Sequence, residues 1–286
     1  MSSKFEKVAA ARDQFLGRLA AGPTLMGIVN VTPDSFSDGG RFDTPEAALA
    51  QARKLVTEGA DIVDVGAEST RPGHRPISAQ EEWARLEPQL SLLVAEAGAP
   101  VSIDTYKAET ARRALGAGVA VVNDVWGLQR DPDMAGVIAA AGAGVVIMHN
   151  RSEADPEIDI VDDMLRFYES SLDIARRAGV DERHILLDPG IGFGKTRAQN
   201  FAALRATPAF ARFGRPLLIG VSRKSIFRDL PDGAVEGRLV GTLAANLYAA
   251  FLGARAFRVH DAAEHKAAFA VLAALQGERS EEGVRS

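Results

Sequence analysis

Leu25-Met26-Gly27-Ile28-Val29-Asn30-Val31-Thr32-Pro33-Asp34 is an apolar, β-branched run that ends at an asparagine and turns without a glycine-rich loop. Its hydrophobicity is continuous rather than alternating, as expected of a strand buried on both faces of a parallel sheet. The same unit recurs seven times, at 61–65, 101–104, 119–123, 144–148, 185–188, 217–220 and 256–259. Each run stops at or next to a polar residue, then gives way to a loop and a longer amphipathic stretch. Eight such alternations leave two architectures, a closed (β/α)8 barrel or an open doubly wound sheet. A dinucleotide-binding open sheet needs a Gly-rich turn directly after its first strand. Asn30-Val31-Thr32-Pro33-Asp34 is not one. The reading is therefore α/β class, a single-domain (β/α)8 TIM barrel over 23–277. A short N-terminal extension, 1–22, forms a covering helix or a loose tail, and 278–286 is a frayed polar end.

The intervening segments carry helix signals. Thr44-Pro45 offers an N-cap followed by proline at the first helical position. Ser78-Ala79-Gln80-Glu81 has the pattern of a capping box. Further helices are expected at 107–116, 132–141, 160–179, 197–206, 235–253 and 262–277.

Composition narrows the function classes. The 286 residues are 47% hydrophobic and 25% charged, enough for one large core. With no cysteine in the chain, disulfides, thiolate metal sites and a cysteine nucleophile are excluded. The first 22 residues lack the apolar core of a signal peptide, and no stretch is long enough to span a bilayer. A cytoplasmic protein with no membrane partner is expected. A net charge of -5 argues against a nucleic-acid partner, which needs a basic face.

In β/α barrels the reactive groups sit at the C-terminal ends of the strands. Here those positions hold Asn30, Asp64, Asp104, Asn123, Met148-His149, Asp188, Lys224 and Arg258-Val259-His260. Any one of them has an ordinary structural role as a cap. All eight strands ending this way point to a ligand site, because buried polar groups need partners. The carboxylates and carboxamides suit the donors and acceptors of a flat nitrogen heterocycle. Lys224, Arg258, His260 and the loop residue Arg71 suit phosphate. His260-Asp261 fits acid–base work, a phosphate contact or a helix cap equally.

Asp188-Pro-Gly-Ile-Gly-Phe-Gly-Lys195-Thr196 invites a P-loop reading but fails on spacing, since Pro189 stands where the first glycine belongs. A loop whose glycines let backbone approach a ligand is the better reading. Phe193 within it either stacks on an aromatic ring or packs beneath the loop. Residues 31–40 and 68–73 are longer than minimal connections, as lid loops are.

Taken together, MGIVNVTPDSFSDGG (26–40), GADIVDVGAESTRPG (59–73), SIDTYKAE (102–109), VVNDVWG (121–127), IMHN (147–150), LLDPGIGFGKT (186–196), GVSRKS (220–225) and FRVHD (257–261) resemble the dihydropteroate synthase family. The resemblance implies a transferase of folate biosynthesis and a sulfonamide target. Its substrates would be 6-hydroxymethyl-7,8-dihydropterin pyrophosphate and p-aminobenzoate, with Mg²⁺ assisting and a homodimer built on the late helices. It also implies roles. Asp104, Asn123, Asp188 and Lys224 match the pterin pocket, with Met148 flanking the ring. Asn30 matches the residue at the Mg²⁺–pyrophosphate, joined by Arg258 and His260. Thr70 and Arg71 match the second mobile loop. Phe36, Asp38, Phe193 and Ser225 match the aminobenzoate pocket. Asp38, Arg71, Lys224, Arg258 and His260 are the positions nearest the chemistry.

Three departures stand out: Ala67 where the family has glycine, Gln199 where it commonly has histidine, and Ile226-Phe227-Arg228 at the aminobenzoate rim. Corrinoid-dependent methyltransferases hold pterins in a similar barrel, but they need neither the pyrophosphate cluster nor the Ser-Thr-Arg-Pro loop. A pterin-binding paralogue without activity is the third reading, and the intact Arg71, Lys224, Arg258 and His260 speak against it.

Overall fold

A computed structural model of the chain describes residues 2–31, 44–68, 75–229 and 237–277, with side chains from Phe5 onward. In chain order the elements are α1 (Ser2–Ala21), β1 (Thr24–Asn30), α2 (Pro45–Thr57), β2 (Ile62–Gly66), α3 (Ala79–Glu96), β3 (Val101–Asp104), α4 (Ala108–Ala117), β4 (Val121–Asp124), α5 (Met134–Ala141), β5 (Gly144–Met148), α6 (Ile160–Ala178), β6 (Ile185–Asp188), α7 (Arg197–Arg205), α8 (Thr207–Phe210), β7 (Leu218–Ile219), α9 (Arg238–Phe251), β8 (Ala256–Val259) and α10 (Ala262–Leu275). The strands pair in parallel in the order β6-β5-β4-β3-β2-β1-β8-β7. A parallel bridge from Leu187 to Leu217 joins the two outermost strands. The (β/α)8 barrel read from the sequence is borne out.

Several boundaries shift for local reasons. The run at 119–123 enters the ladder only at Val121, because the Val119 amide still bonds back to Ala114 O of α4 at 3.2 Å. The run at 217–220 shortens to Leu218–Ile219, with Leu217 spent on the closing bridge. The expected helix 107–116 starts at Ala108, since Lys107 is the extended residue before it. Thr44 and Ser78 both act as N-caps, accepting from the amides of Ala47 and Glu81, but the capping box expected at Ser78 is only half formed, since the Glu81 carboxylate pairs with Arg85. The first part of the expected helix 235–253 and the tail 278–286 lie outside the described residues.

The period of two along each strand divides the core. Val29, Val63, Val65, Ile103, Val122, Val145, Ile147, Leu187, Ile219 and Phe257 point outward into a cluster shared with the helices. Met26, Ile62, Val121, Val146, Leu186, Leu218 and Ala256 form a separate inner cluster with Phe15 and Leu19 of α1. α1 therefore plugs the N-terminal end of the barrel, settling the choice between covering helix and loose tail. Arg12 fastens it to the Gly142 carbonyl, and Arg18 pairs with Asp61 at 2.9 Å. With one end plugged and the lower interior filled by apolar side chains, the inward-facing polar groups of the strands gather at the C-terminal mouth.

Candidate active site

Two residues further along each strand, still in the inward register, the filling changes from apolar to polar and charged. Asp64 of β2 and Ser102 of β3 are ladder partners, as are Asp104 of β3 and Asn123 of β4, and Met148 of β5 and Asp188 of β6. Arg258 of β8 crosses toward this group and binds two carboxylates at once. Its Nε donates to Asp64 Oδ2 at 2.6 Å and its Nη2 to Asp104 Oδ2 at 2.9 Å. Asp64 also accepts from Ser102 Oγ at 2.5 Å and Asn123 Nδ2 at 3.2 Å, so both its oxygens are occupied. Burial alone would drive off the Arg258 charge, but Asp64 and Asp104 outweigh it and hold its pKa above the ordinary value.

Two acceptors are left over. Asp104 Oδ1 and Asn123 Oδ1 are buried with no hydrogen-bond partner among the described residues. Burial pushes the Asp104 carboxyl up to about 7, with Arg258 acting in the opposite direction. Unpaired buried acceptors are costly, and a ligand that donates N–H groups at this place relieves them.

Asp188 accepts the Gly190 amide at 2.7 Å through Oδ1. Burial raises its pKa and Lys224 counters. Lys224 is a partly buried ammonium whose pKa desolvation lowers to about 8, with Asp188 as the main opposing charge. Its Nζ donates to Ile191 O and lies 4.5 Å from the Phe193 ring centroid. Phe193 is therefore half-buried beside the ammonium, at the boundary between the heterocycle side and the outer rim. Ser225 follows Lys224 as an exposed residue opening a 3-10 turn.

His260 sits beyond the end of β8, with Nδ1 2.9 Å from Ser222 Oγ, and its backbone amide reaches the same hydroxyl at 3.2 Å. Among the described hydrogen bonds the Asp261 carboxylate goes to Arg223 rather than to the imidazole. It holds Arg223, at 2.5 and 3.1 Å, and Arg223 itself has a positive φ of 55°. The acid–base dyad reading of His260-Asp261 thus gains no support from the geometry. Asn30 ends β1 half-buried, opposite Gly66. Phe36, Asp38, Thr70 and Arg71 lie outside the described residues.

Some strand-end residues face elsewhere. His149 turns away from the mouth to Asp163 of α6, with Nε2 3.1 Å from Oδ2, and its ring meets Phe167 edge-on at 4.8 Å. Burial lowers its pKa to about 3, so it is neutral. Lys195 is buried and donates to backbone carbonyls, which confirms that the Gly-Lys-Thr segment is no phosphate cradle. Of the departures, Gln199 completes a capping box with Thr196. Ile226 and Phe227 are buried under the rim, and only Arg228 is exposed. Ala67 is fully buried in the core.

The structure also reveals what sequence reasoning under-weighted. Asp64 is the hub of the polar cluster, and Ser102 and Ser222 orient Asp64 and His260. Glu68 accepts from Tyr106 Oη at 3.0 Å and pairs with Lys107, which also reaches Glu82 at 3.1 Å. Spacing could not show these links because the partners come from segments remote in sequence. At the opposite end of the barrel, a cleft lined by Arg18, Pro23, Asp61 and Lys266 offers no orphaned acceptor among the described residues. There Asp61 is already bonded to Arg18 and to the Leu25 amide.

A family model described as pterin binding enzyme matches residues 26–260. The dihydropteroate synthase of Bacillus subtilis (strain 168) is 44% identical over 237 residues, 83% of this chain and 83% of that protein. The structure of Xanthomonas albilineans dihydropteroate synthase with 4-aminobenzoic acid is 42% identical with a TM-score of 0.86, covering 92% of this chain and 97% of the other. The Xanthomonas albilineans synthase in complex with 7,8-dihydropteroate gives 40% identity and a TM-score of 0.82, over 92% and 98%.

Proposed function

The chain belongs to the pterin-binding enzyme family, and we propose that it is a dihydropteroate synthase. It condenses 6-hydroxymethyl-7,8-dihydropterin pyrophosphate with p-aminobenzoate to give 7,8-dihydropteroate and pyrophosphate. The observation that carries this reading is the pair of orphaned acceptors, Asp104 Oδ1 and Asn123 Oδ1, buried beside Asp188 at the mouth. A pterin presents ring N–H and amino donors along one edge and a carbonyl for the Lys224 ammonium. Four converging polar groups of this kind are hard to satisfy with water alone in so enclosed a place.

In this reading the residues bind, orient and shield. Asp104, Asn123 and Asp188 fix the pterin edge, and the negative charge of the two aspartates, where ionised, favours electron release from the ring as the methylene–oxygen bond breaks. Arg258 offsets charge on Asp64 and Asp104 through its two hydrogen bonds and, in this reading, reaches the departing pyrophosphate together with His260. His260 donates from Nε2 if Ser222 Oγ donates to Nδ1, or accepts there if the tautomer is reversed. The aniline nitrogen of p-aminobenzoate attacks the methylene carbon with its lone pair. It then loses one proton, which the released pyrophosphate can accept. Phe193 and Ser225 border the place from which the amine approaches. Asp38 and Arg71, like Phe36 and Thr70, keep the roles implied by resemblance. A closed, dry site limits capture of the electrophilic carbon by water.

Mg²⁺ fits this donor set in a restricted way. Asn30 offers one neutral, hard oxygen, and among the described residues no cluster of three His, Asp, Glu or Cys could cage a metal. Mg²⁺ is commonly held by few protein ligands plus substrate phosphates and water. Bound there with pyrophosphate, it would offset the negative charge gathering on the leaving group.

The direct test supplies pterin pyrophosphate, Mg²⁺ and p-aminobenzoate and follows dihydropteroate formation. Amine-dependent product is expected, and chelation with EDTA should stop it, with recovery on adding Mg²⁺. No product with all three present would sink the assignment, and full activity in EDTA would remove the metal from it.

We also propose a homodimer. Val240 (75% exposed) and Phe251 (66%) of α9 and Leu275 (80%) of α10 are large apolar side chains facing solvent, joined by Tyr248 and Val271. Apolar side chains gathered on adjacent helices support an isologous contact with a second copy. Sedimentation equilibrium should give twice the chain mass, and Phe251→Asp with Val240→Asp should give the monomer. A monomeric wild type refutes it. The cytosolic location expected from the sequence belongs to the same reading; among the described residues no helix is long and apolar enough to cross a membrane.

A further inference from the structure

The loop between β6 and α7 is fastened from within by a lysine that no part of the proposed chemistry uses. The Lys195 side chain is buried, and its ammonium donates to three backbone carbonyls: Gly190 O at 3.0 Å, Phe193 O at 3.1 Å and His149 O at 3.4 Å. An ammonium has three protons, so each has an acceptor. Two of those carbonyls belong to the loop and the third to the end of β5, so one side chain joins two neighbouring strand ends.

Backbone contact makes the junction tight. Gly190 has φ +61°, and a Cβ built there would lie 1.9 Å from His149 O. Gly194 has φ +54°, and its Cβ would lie 2.3 Å from Arg151 O. Side chains are excluded at both places on grounds of conformation and of space. Within the same loop, the Gly192 amide donates to Asn200 Oδ1 at 2.6 Å. The outer side of the loop is the part that meets the site: Lys224 reaches Ile191 O and lies over the Phe193 ring. What fixes residues 190–194 therefore fixes where the Phe193 ring stands at the rim.

We infer that Lys195 is a positioning residue for the second substrate: by knotting the His149, Gly190 and Phe193 carbonyls together it holds Phe193 in place at the rim beside Lys224. The identity of that substrate rests on the dihydropteroate synthase reading, while the knot itself does not. The electrostatics agree with tight enclosure of the Lys195 amine. Burial lowers the Lys195 pKa to about 7, against the pull of Asp188 and with Lys224, Asp163 and Arg151 also nearby. His149, the neighbouring titratable ring, is kept neutral by burial and adds no charge.

The test pairs steady-state kinetics with hydrogen exchange on the full chain. Lys195→Met should raise the KM for p-aminobenzoate at least about tenfold, because a displaced contact of order an ångström is enough for such a loss. The KM for pterin pyrophosphate should stay near wild type. Amides of 189–194 should exchange faster while those of the eight strands keep their protection. Because the chain has no cysteine, Lys195→Cys introduces a single thiol. Alkylating it with 2-bromoethylamine in the unfolded chain, followed by refolding, restores an ammonium of lysine length and should restore the p-aminobenzoate KM. An unchanged KM for p-aminobenzoate overturns the inference, as does a parallel rise in both KM values with loss of protection across all strands. If the wild type makes no dihydropteroate, the activity reading fails on its own, and the exchange pattern of Lys195→Met still decides whether this residue holds the loop.

Discussion

Arg258→Met is expected to lower turnover by at least about a thousandfold, the scale seen when a preorganised charge at a reacting centre is removed. It should also destabilise the fold, and by an amount that depends on pH. Arg258 joins Asp64 and Asp104 across the barrel, and it is the cation bonded to both. Removing one partner of a buried ion pair leaves uncompensated charge, a loss of about 3–5 kcal/mol. The wild-type Asp104 carboxyl is already raised to about 7 by burial, against the opposing effect of Arg258. Without the guanidinium it rises further. A carboxyl whose folded pKa lies above its unfolded one binds more protons in the folded state, so stability falls as pH climbs between the two values. The melting temperature of Arg258→Met should therefore trail wild type more at pH 8 than at pH 5. Adding Asp64→Asn should recover part of the stability and none of the turnover. Thermal melts at both pH values and single-turnover rates check this. A deficit independent of pH would show that the two carboxylates are not what Arg258 neutralises.

Lys224→Ala is expected to do the opposite to the balance between activity and stability. Catalytic efficiency toward the pterin pyrophosphate should fall by at least about a hundredfold, as when a charged hydrogen bond in a dry site is deleted. The melting temperature should change little. The contrast with Arg258 lies in the sign of the pKa shift. Pairing raises the Arg258 pKa, whereas burial lowers that of Lys224 to about 8. A lysine whose folded pKa lies below its unfolded one binds fewer protons when folded, so its charge opposes folding at neutral pH and stability rises as pH passes from about 8 toward 10.5. The same lowered value predicts an alkaline limb in the pH profile of the wild type, with efficiency falling as Lys224 loses its proton above about 8. In Lys224→Arg that limb should leave the measurable range, even where the rate is reduced. A limb that stays in place in the arginine variant would assign it to another group.

The strands were legible because their residues are buried on both faces, which leaves a continuous apolar run that can be counted. The ends of those runs also gave most of the mouth: Asp104, Asn123, Asp188 and Arg258 share one inward register because the side-chain period of a strand is two. The sequence could not say which polar residue contacts which. Asp64 reads as one carboxylate among three, yet three strands converge on it through Arg258, Ser102 and Asn123. His149 reads as part of the ring, yet it faces α6, because one residue past Met148 the side chain falls on the other face of the sheet. Lys195 reads as the end of a failed phosphate loop, and its three carbonyl partners come from residues up to 46 positions away.

The sequence by itself determined the barrel and the polar character of its mouth, since periodicity, caps and turn residues act between near neighbours in the chain. Tertiary structure alone decided that α1 plugs one end, that Arg258 bridges Asp64 and Asp104, and that two acceptors are left unpaired for a ligand. Those are properties of distance between segments remote in sequence. Whether a buried charge is neutralised or left needing a partner depends on closing the sheet, which brings β8 to within a hydrogen bond of β2 and β3.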